Sequence, residues 1–302
     1  MAGYQPSTTY YDQLSRAAAT QVYESLMAAT SMQEARHHAT ALLDQHPRLS
    51  LGLTPTRILW RAVKADDPGG FDRLDRVLAP PPDKAGTGRL NDRGSPRLYV
   101  AYAVDTAIAE LTPKPGEFFH VIGLLCPQDS AIRVTVVGEH HHVVRTGYMK
   151  NVGYDPDRTI TRELHRQGRR RMENIAYADS LLADVLADER ARDKGYTPSR
   201  GLGDVLRHKE PDSHGIQYPS VRHPLGTNLC LEVDSSTAPL KPVASMTLRV
   251  DQTWRNGYLD LSLQRRFVLG KDGVSFERHA ARGDDMVLFN ITPEEHARVV
   301  QV

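Results

Sequence analysis

Short runs of β-forming residues, separated by loops rich in proline and glycine, dominate the sequence after residue 53 and constrain its fold most strongly. Runs of this length, bounded by turn residues, are typical of strands rather than of helices. The predicted strands are Arg57–Val63, Arg97–Ala103, Phe118–Leu125, Ala131–Val137, Asn228–Val233, Val243–Val250 and Arg265–Leu269. This series predicts a β-sheet at the centre of the fold.

Helical patterns precede and interrupt the strands. Apolar residues and alanines recur at helical spacing in residues 13–30, and Ser31 with Glu34 matches a capping box for a second helix that runs to about residue 45. Residues 1–52 are therefore predicted to be an N-terminal helical segment, which packs on the rest of the chain or forms a dimer contact. A charged, helix-prone stretch predicts a helical insertion at about residues 150–213. The fold class is therefore α+β.

Composition excludes several classes of protein. The chain has 302 residues, with 38 Lys+Arg against 37 Asp+Glu, so clustered cationic charge for a nucleic acid is not expected. Its two cysteines, Cys126 and Cys230, cannot form a disulfide framework for a chain of this length. The sequence shows neither a signal peptide nor a long apolar run. We therefore expect a cytoplasmic protein with no direct nucleic-acid or membrane partner.

Three segments contain candidate site residues. The glycine-rich segment Gly86–Gly94 presents Arg89, but its spacing fits neither a Walker loop nor a dinucleotide fingerprint, and alone it is typical of an ordinary turn. The strand with Tyr99 leads into a short predicted helix, Asp105–Leu111, in which Asp105 would be the N-cap and Glu110 lies near the end.

The third segment, Gly215–Asn228, is a constrained loop that presents Ser220 and Arg222. Ser220 lacks the Gly-x-Ser-x-Gly elbow of a hydrolase nucleophile. The loop alone therefore indicates exposed polar groups without identifying a reaction.

Two further patterns favour structural roles. His140–His142 invite a metal-binding interpretation, but adjacent residues of a strand point to opposite faces and would converge poorly on one ion. We therefore expect a structural or surface role and no metal. The arginines between Arg158 and Arg171 recur at helical spacing but are diluted by Glu163 and Glu173, which predicts a solvated, salt-bridged helix.

Taken together, the three segments resemble the RES domain, a family named for an Arg, a Glu and a Ser. The resemblance lies in Trp60-Arg61, in Gly88-Arg89-Leu90-Asn91, in Leu98-Tyr99 followed by Ala107–Glu110, and in Tyr218–Arg222. It covers about residues 57–138 and 214–250, and its specificity comes from the order and spacing of the pieces. The chain departs from the family where Leu90 replaces a tryptophan, so that an aromatic wall is either missing or supplied by Trp60.

The resemblance implies a fold similar to ADP-ribosyltransferases, with a split β-sheet core, and an activity that consumes NAD+. Residues 53–302 would be the RES-like catalytic domain, with the helical insertion inside it. RES proteins commonly act as toxins neutralised by an antitoxin. NAD+ would be the substrate and not a cofactor, while an antitoxin protein and a second copy of the chain are candidate partners.

The resemblance also implies roles for individual residues. Glu110, Arg61 and Ser220 would be catalytic, with Glu110 bonding the ribose hydroxyls and stabilising the cation that develops on the sugar. Arg61 and Arg89 would bind the pyrophosphate, and Tyr99 would line the nicotinamide pocket. Ser220, together with Arg222, would anchor the nicotinamide side or the ribose.

Three functions remain open on the sequence. The first is hydrolysis or phosphorolysis of the bond between nicotinamide and ribose. The second is transfer of ADP-ribose to a protein acceptor, and the third is a catalytically inactive interaction module.

Overall fold

The chain forms a mixed α+β fold, as the sequence predicts. The computed structural model describes residues 15–44, 46–53, 57–127, 132–150, 159–233 and 240–280. Within these ranges the helices are α1 (Arg16–Ala28), α2 (Met32–Leu43), α3 (Val104–Ala109), α4 (Glu139–Thr146), α5 (Thr159–Arg166), α6 (Arg169–Ala187) and α7 (Thr197–Lys209).

Ten strands accompany these helices in the described residues, and most of their pairings are antiparallel. They are β1 (Leu49–Gly52), β2 (Ile58–Ala65), β3 (Arg97–Ala101), β4 (Phe118–Leu125), β5 (Arg133–Val136), β6 (Gly215–Pro219), β7 (Thr227–Glu232), β8 (Lys241–Thr253), β9 (Leu259–Leu269) and β10 (Phe276–Ala280). Every strand predicted from the sequence is present. The bounds of β4 are as predicted and those of the others are shifted, while Ala131 lies outside the described residues.

Two compact units divide the chain. The first unit comprises Met1–Gly52, Gly86–Ser95 and Ile132–Pro219, and the second comprises Leu53–Ala85, Pro96–Ala131 and Ser220–Val302. The N-terminal helices and most of the charged insertion thus belong to the same unit.

Helices dominate the first unit. Its strands lie in the order β1-β5-β6, with β1 antiparallel and β6 parallel to β5. The predicted capping box at the start of α2 is confirmed, since the Ser31 hydroxyl accepts the Glu34 N–H and the Glu34 carboxylate returns to the Ser31 N–H. A Cβ on Gly201 would lie 2.5 Å from the Cβ of Ala35, so glycine permits the close approach of α7 to α2.

The packing of α1 and α2 agrees with the prediction that they dock on the rest of the chain. Both contact α7, and α1 also contacts α6, where Arg16 pairs with Glu173 at 2.8 Å. Arg169 pairs with Glu173 as well, at 3.0 Å, as expected for a salt-bridged charged helix. Residues 13 and 14 of the predicted first helix, and Arg158 of the arginine series, lie outside the described residues.

The second unit is an antiparallel sheet covered by α3. Its strands lie in the order β7-β3-β2-β4-β8-β9-β10. One hydrophobic core joins α3 to three of these strands, and its buried members are Trp60, Ala62, Val104, Ile108, Phe119, Val121, Met246, Leu248 and Val250. Since Val104 and Ile108 are one helical turn apart, they fix one face of α3 on the sheet.

Three local predictions are wrong. The segment Gly215–Asn228, predicted to be a loop, begins with strand β6 and ends in strand β7. The N-cap of α3 is Ala103 rather than Asp105, which lies in the first turn and accepts the Thr106 N–H at 2.6 Å. The histidines His140–His142 lie on α4 and not on a strand. Successive residues of a helix are about 100° apart around its axis, so one of the three can be buried while its neighbours stay nearer the solvent.

No helix in the described ranges combines the length and the apolar character required to cross a bilayer.

Candidate active site

Glu110 lies at the C-terminal end of α3, where its backbone forms the C-cap of the helix. The helix is fixed by Val104 and Ile108, which are both fully buried in the core of the second unit. The position of the Glu110 backbone is therefore set by the packing of α3. Its half-buried side chain extends toward the segment that begins at Ser220.

One carboxylate oxygen of Glu110 accepts three hydrogen bonds. The Ser220 hydroxyl donates to Oε1 at 2.5 Å, the Val221 N–H at 3.1 Å and the Asn228 side-chain amide at 2.7 Å. No donor among the described residues reaches Oε2. The arrangement thus holds the carboxylate by one oxygen and leaves the other available to a ligand.

The Ser220 hydroxyl uses its full hydrogen-bonding capacity within the protein. It donates its proton to Glu110 and accepts the N–H groups of Arg222 at 3.2 Å and His223 at 3.0 Å. A hydroxyl has one proton to donate and two acceptor positions. The geometry therefore supports Ser220 as a residue that positions Glu110, and direct contact of its hydroxyl with a substrate stays a prediction.

The loop around Ser220 is held in a tight turn. The Ser220 N–H donates to the Gly226 carbonyl at 3.0 Å, and the Gly226 N–H donates to the His223 carbonyl at 2.8 Å. A Cβ on Gly226 would lie 2.6 Å from Cγ2 of Thr106 on α3, so only glycine allows this approach. The loop and the helix that ends at Glu110 are thus in direct contact.

His223 and Asp105 form a second link between this loop and α3. His223 is buried, and its Nε2 lies 3.4 Å from Oδ2 of Asp105. The link supports the same loop position that the Glu110 hydrogen bonds require.

Arg61 lies on β2 and has no acidic partner among the described residues. Its Nε donates to the Val77 carbonyl at 2.9 Å and its Nη1 to the Tyr99 carbonyl at 3.0 Å, while Nη2 donates to no described residue. Burial lowers the pKa of Arg61 to about 10, so the guanidinium is still cationic at neutral pH. A desolvated cation bonded only to neutral carbonyls is suited to an anionic ligand.

No hydrogen bond or ion pair in the described residues joins Arg61 to Glu110. Residues alternate between the two faces of a strand, so Arg61 lies on the opposite face of β2 from Trp60 and Ala62, which pack with α3. A direct action of Arg61 on Glu110 has no support in this arrangement. Its predicted catalytic role stays a prediction, and its contacts fit an anion-binding role better.

Tyr99 shares a face of the sheet with the Glu110 cluster. Across β3 and β7, Tyr99 is opposite Cys230 and Ala101 is opposite Asn228. Directly opposed residues lie on the same face, as do residues two apart along a strand. Tyr99 and Asn228 are therefore on one face of the sheet, while the role of Tyr99 in lining a nicotinamide pocket stays a prediction.

Trp60 packs in the core and leaves almost no ring surface for a ligand, since it is only 3% exposed. Gly123 of β4 lies beside the ring, and a Cβ at this position would come within 3.0 Å of a ring atom of Trp60. Trp60 therefore does not fit the hypothesis that it replaces the aromatic wall of the family.

Arg89 and Arg222 have different surroundings. Arg89 belongs to the first unit, where Nη1 donates to the Asp188 carbonyl at 3.1 Å and the guanidinium lies 5.7 Å from the centroid of the Tyr196 ring. Arg222 belongs to the second unit, is exposed, and contacts Ser220 through its backbone N–H. Binding of a ligand by either side chain stays a prediction.

Asn228 is the site residue that sequence reasoning missed. It is buried at the start of β7, and its amide donates to Glu110. The sequence did contain a signal for this role. Asn228 is a polar residue near the start of an otherwise apolar strand, and it follows directly after the Ser220 loop.

A comparison of the sequence with models of known families gives a match that spans the candidate site residues. The sequence model of the RES domain matches residues 58–254, which is most of the chain, and includes Arg61, Glu110, Ser220 and Asn228. The protein therefore belongs to the RES domain family. A comparison with curated protein sequences gives no significant match.

Proposed function

We propose that the protein consumes NAD+ by breaking the bond between nicotinamide and ribose, with water or phosphate as the acceptor. The observation that supports this most is the Glu110 carboxylate, held by three donors at Oε1 and available at Oε2. Membership in the RES family supports the same choice of substrate. NAD+ is thus the substrate, and the proposed chemistry needs no separate cofactor.

The proposed reaction needs negative charge at a defined place. Cleavage of an N-glycosidic bond passes through an oxocarbenium-like state, in which positive charge develops on the ribose. Nicotinamide leaves a cationic ring as a neutral molecule, so protonation of the leaving group contributes little. Oε2 of Glu110 would accept a hydrogen bond from a ribose hydroxyl and stabilise the developing cation, an interaction that strengthens as the bond breaks.

Ser220 and Asn228 would make this carboxylate effective by fixing its orientation. A carboxylate that is already in place does not have to reorganise when charge develops, and preorganised electrostatic groups contribute most to such a step. Ser220 and Asn228 are 8% and 5% exposed, respectively, so solvent competes little for their hydrogen bonds to Glu110. In this proposal both are positioning residues, and Glu110 is the catalytic residue.

The cationic residues would bind the rest of the dinucleotide. Arg61 offers unused N–H donors to a pyrophosphate oxygen. Tyr99 would line the nicotinamide side, while Arg89 and Arg222 are further candidates for phosphate contacts. From the family resemblance we also propose that the fold is similar to that of ADP-ribosyltransferases, with a split β-sheet. The protein would act as a toxin in the cytoplasm, and an antitoxin protein would be its partner.

A product analysis tests this function. Purified full-length protein is incubated with NAD+, with and without inorganic phosphate, and the products are separated by chromatography and identified by mass. Free nicotinamide with ADP-ribose indicates hydrolysis, while a phosphorylated ADP-ribose that appears only with phosphate indicates phosphorolysis.

Matched variants complete this test. Glu110→Gln should lose the activity, while Glu277→Gln, at an exposed position of β10, should keep it. Intact NAD+ with the wild-type protein under both conditions would contradict the proposal, as would full activity of Glu110→Gln.

A further inference from the structure

His46, His140 and Asp179 form a buried cluster in the first unit, and none of the three is among the residues proposed to act on NAD+. Each residue offers a nitrogen or carboxylate oxygen atom, and these three atoms all lie within 4.8 Å of one another. His140 and Asp179 are fully buried and His46 is 4% exposed. Three segments distant in sequence thus meet at one point, namely the turn before β1, helix α4 and helix α6.

His140 is the member whose surroundings require an explanation. Neither ring nitrogen of His140 has a hydrogen-bond partner among the described residues, although the side chain is completely buried. A buried polar group without a partner lowers the stability of the folded chain. Its ring packs edge-on against that of His46, with centroids 4.9 Å apart, so an unused nitrogen lies beside the other two groups.

Asp179 is oriented by backbone donors at the start of α4. Its Oδ1 accepts the Gly138 N–H and its Oδ2 accepts the His141 N–H, both at 2.9 Å. His46 Nε2 lies 3.2 Å from Oδ1, at ion-pair distance but without the angle of a hydrogen bond. Outer hydrogen bonds that fix a carboxylate in this way are typical of metal ligands.

We propose that His46, His140 and Asp179 bind a divalent metal ion of the zinc type, which joins the three segments of the first unit. Two imidazoles and one carboxylate are a recurrent protein ligand set for Zn²⁺, with a fourth position filled by water. Zn–N and Zn–O bonds of about 2.0–2.2 Å place tetrahedral ligand atoms roughly 3.4 Å apart. The three observed atoms, which all lie within 4.8 Å of one another, would have to approach to this spacing when the ion binds.

The geometry also distinguishes the three adjacent histidines of α4 from one another. Of His140–His142, only His140 is fully buried, while His141 and His142 are half-buried. The other two ligands come from His46 and Asp179 rather than from the adjacent histidines. The ion proposed here would have a structural function, because the burial of all three ligands leaves a substrate little access to the fourth, water-filled position.

Metal analysis of the untagged full-length protein tests the site. The protein is stripped with a chelator, dialysed against Zn²⁺ and passed through gel filtration, and bound metals are measured by mass spectrometry. The wild-type protein and the control His142→Gln, on the same helix, should each retain about one ion per chain. His140→Gln and His46→Gln should retain little, and zinc should raise the Tm of the wild type by about 5–10 °C.

Cobalt provides a readout that does not depend on the stability of a variant. Wild-type protein loaded with Co²⁺ should show the intense visible absorption of a tetrahedral site, and Zn²⁺ should abolish it by displacement. Absence of both metal retention and cobalt absorption in the wild type would overturn the proposal, even where a histidine variant fails to fold. If folded His140→Gln retained as much metal as the wild type, the proposed site would also be overturned. If the protein retained a different ion, and the histidine variants lost it, only the assignment to zinc would be overturned.

Discussion

Ser220 donates its hydroxyl proton to Oε1 of Glu110 at 2.5 Å, which joins two residues that the resemblance to the RES domain had singled out. They are separated by more than a hundred residues in sequence and meet because α3 and the loop before β7 pack together. The hydrogen bond orients a carboxylate and uses the only proton of the serine. In the proposed function Ser220 therefore positions the carboxylate, while Glu110 acts on the substrate.

Replacing Glu110 with Gln should lower kcat by about 10²–10³-fold with little change in NAD+ affinity, since its main interaction strengthens in the transition state. The shape of the side chain is preserved, so folding should be unaffected. Steady-state kinetics and a direct binding measurement check this, with Glu277→Gln as the control. Equal losses in kcat and affinity would mean that Glu110 binds the ground state instead.

Replacing Ser220 or Asn228 with Ala should each lower kcat by roughly 10–100-fold, because a hydrogen bond to a charged group contributes about 1.5–3 kcal/mol. Combined with Glu110→Gln, either replacement should cause little additional loss, since both act through that carboxylate. Single and double variants compared in one kinetic series test this coupling.

Ser262→Ala is the matched control for Ser220→Ala, because its hydroxyl donates to a carboxylate of Asp251 on the same sheet, at 3.1 Å. Additive losses in Ser220→Ala/Glu110→Gln would show that Ser220 contacts the substrate by itself.

Replacing Arg61 with Ala should weaken NAD+ binding by about 10–100-fold, because a desolvated cation that meets a pyrophosphate contributes about 1.5–3 kcal/mol. The kcat at saturating NAD+ should change much less, since Arg61 does not contact Glu110. Calorimetric titration with NAD+ measures the affinity, with Arg73→Ala, an exposed arginine paired to Asp75, as the control. A loss confined to kcat would instead support a catalytic role for Arg61.

Acid should destabilise the second unit through His120. This residue is fully buried, with Nδ1 accepting the Phe71 N–H at 3.0 Å and Nε2 lying 2.7 Å from the Ser245 hydroxyl. Burial lowers its pKa from 6.5 to about 4. Between these values the unfolded chain binds a proton that the folded chain does not, so the free energy of unfolding should fall as pH decreases from about 6.5 to 4, by on the order of 3 kcal/mol.

Denaturant unfolding at pH 7 and at pH 5 measures this dependence. His120→Asn keeps an acceptor for the Phe71 N–H and removes the titrating ring, so its free energy of unfolding should fall less over the same interval. Other buried groups contribute equally to both proteins. An identical fall in the wild type and the variant would exclude His120 as a source.

Local sequence patterns were sufficient for seven of the ten strands in the described residues and for the first two helices. The alternation in β2 and the apolar run of β4 are short-range signals, and the capping box of α2 requires only Ser31 and Glu34. These elements are predictable because the residues that stabilise them are neighbours in the chain.

Other elements were not predictable because tertiary packing outweighs local preference. The helix α7 contains Pro198, Gly201 and Gly203, which are poor helix formers, yet Gly201 is required for close contact with Ala35. The helix α4 begins after Gly138, and its buried histidine, His140, lies beside His46 and Asp179, which are distant in sequence.

Residues of the candidate site were recognised individually, but their interactions were not. Nothing in the local sequence indicates that Ser220 would use its hydroxyl on Glu110, or that Asn228 would join them. These contacts depend on the glycine at 226, whose missing side chain allows the loop to reach Thr106. Long-range contacts of this kind require the folded chain.

The position of Glu110 at the carboxyl end of α3 has a consequence for turnover. The C-terminal end of a helix has partial negative charge, which adds to that of the carboxylate. On the proposed function, this end of the helix attracts the positively charged pyridinium ring of the substrate. Once the bond breaks, nicotinamide is neutral and the attraction is lost, so the same field that captures the substrate favours departure of the first product.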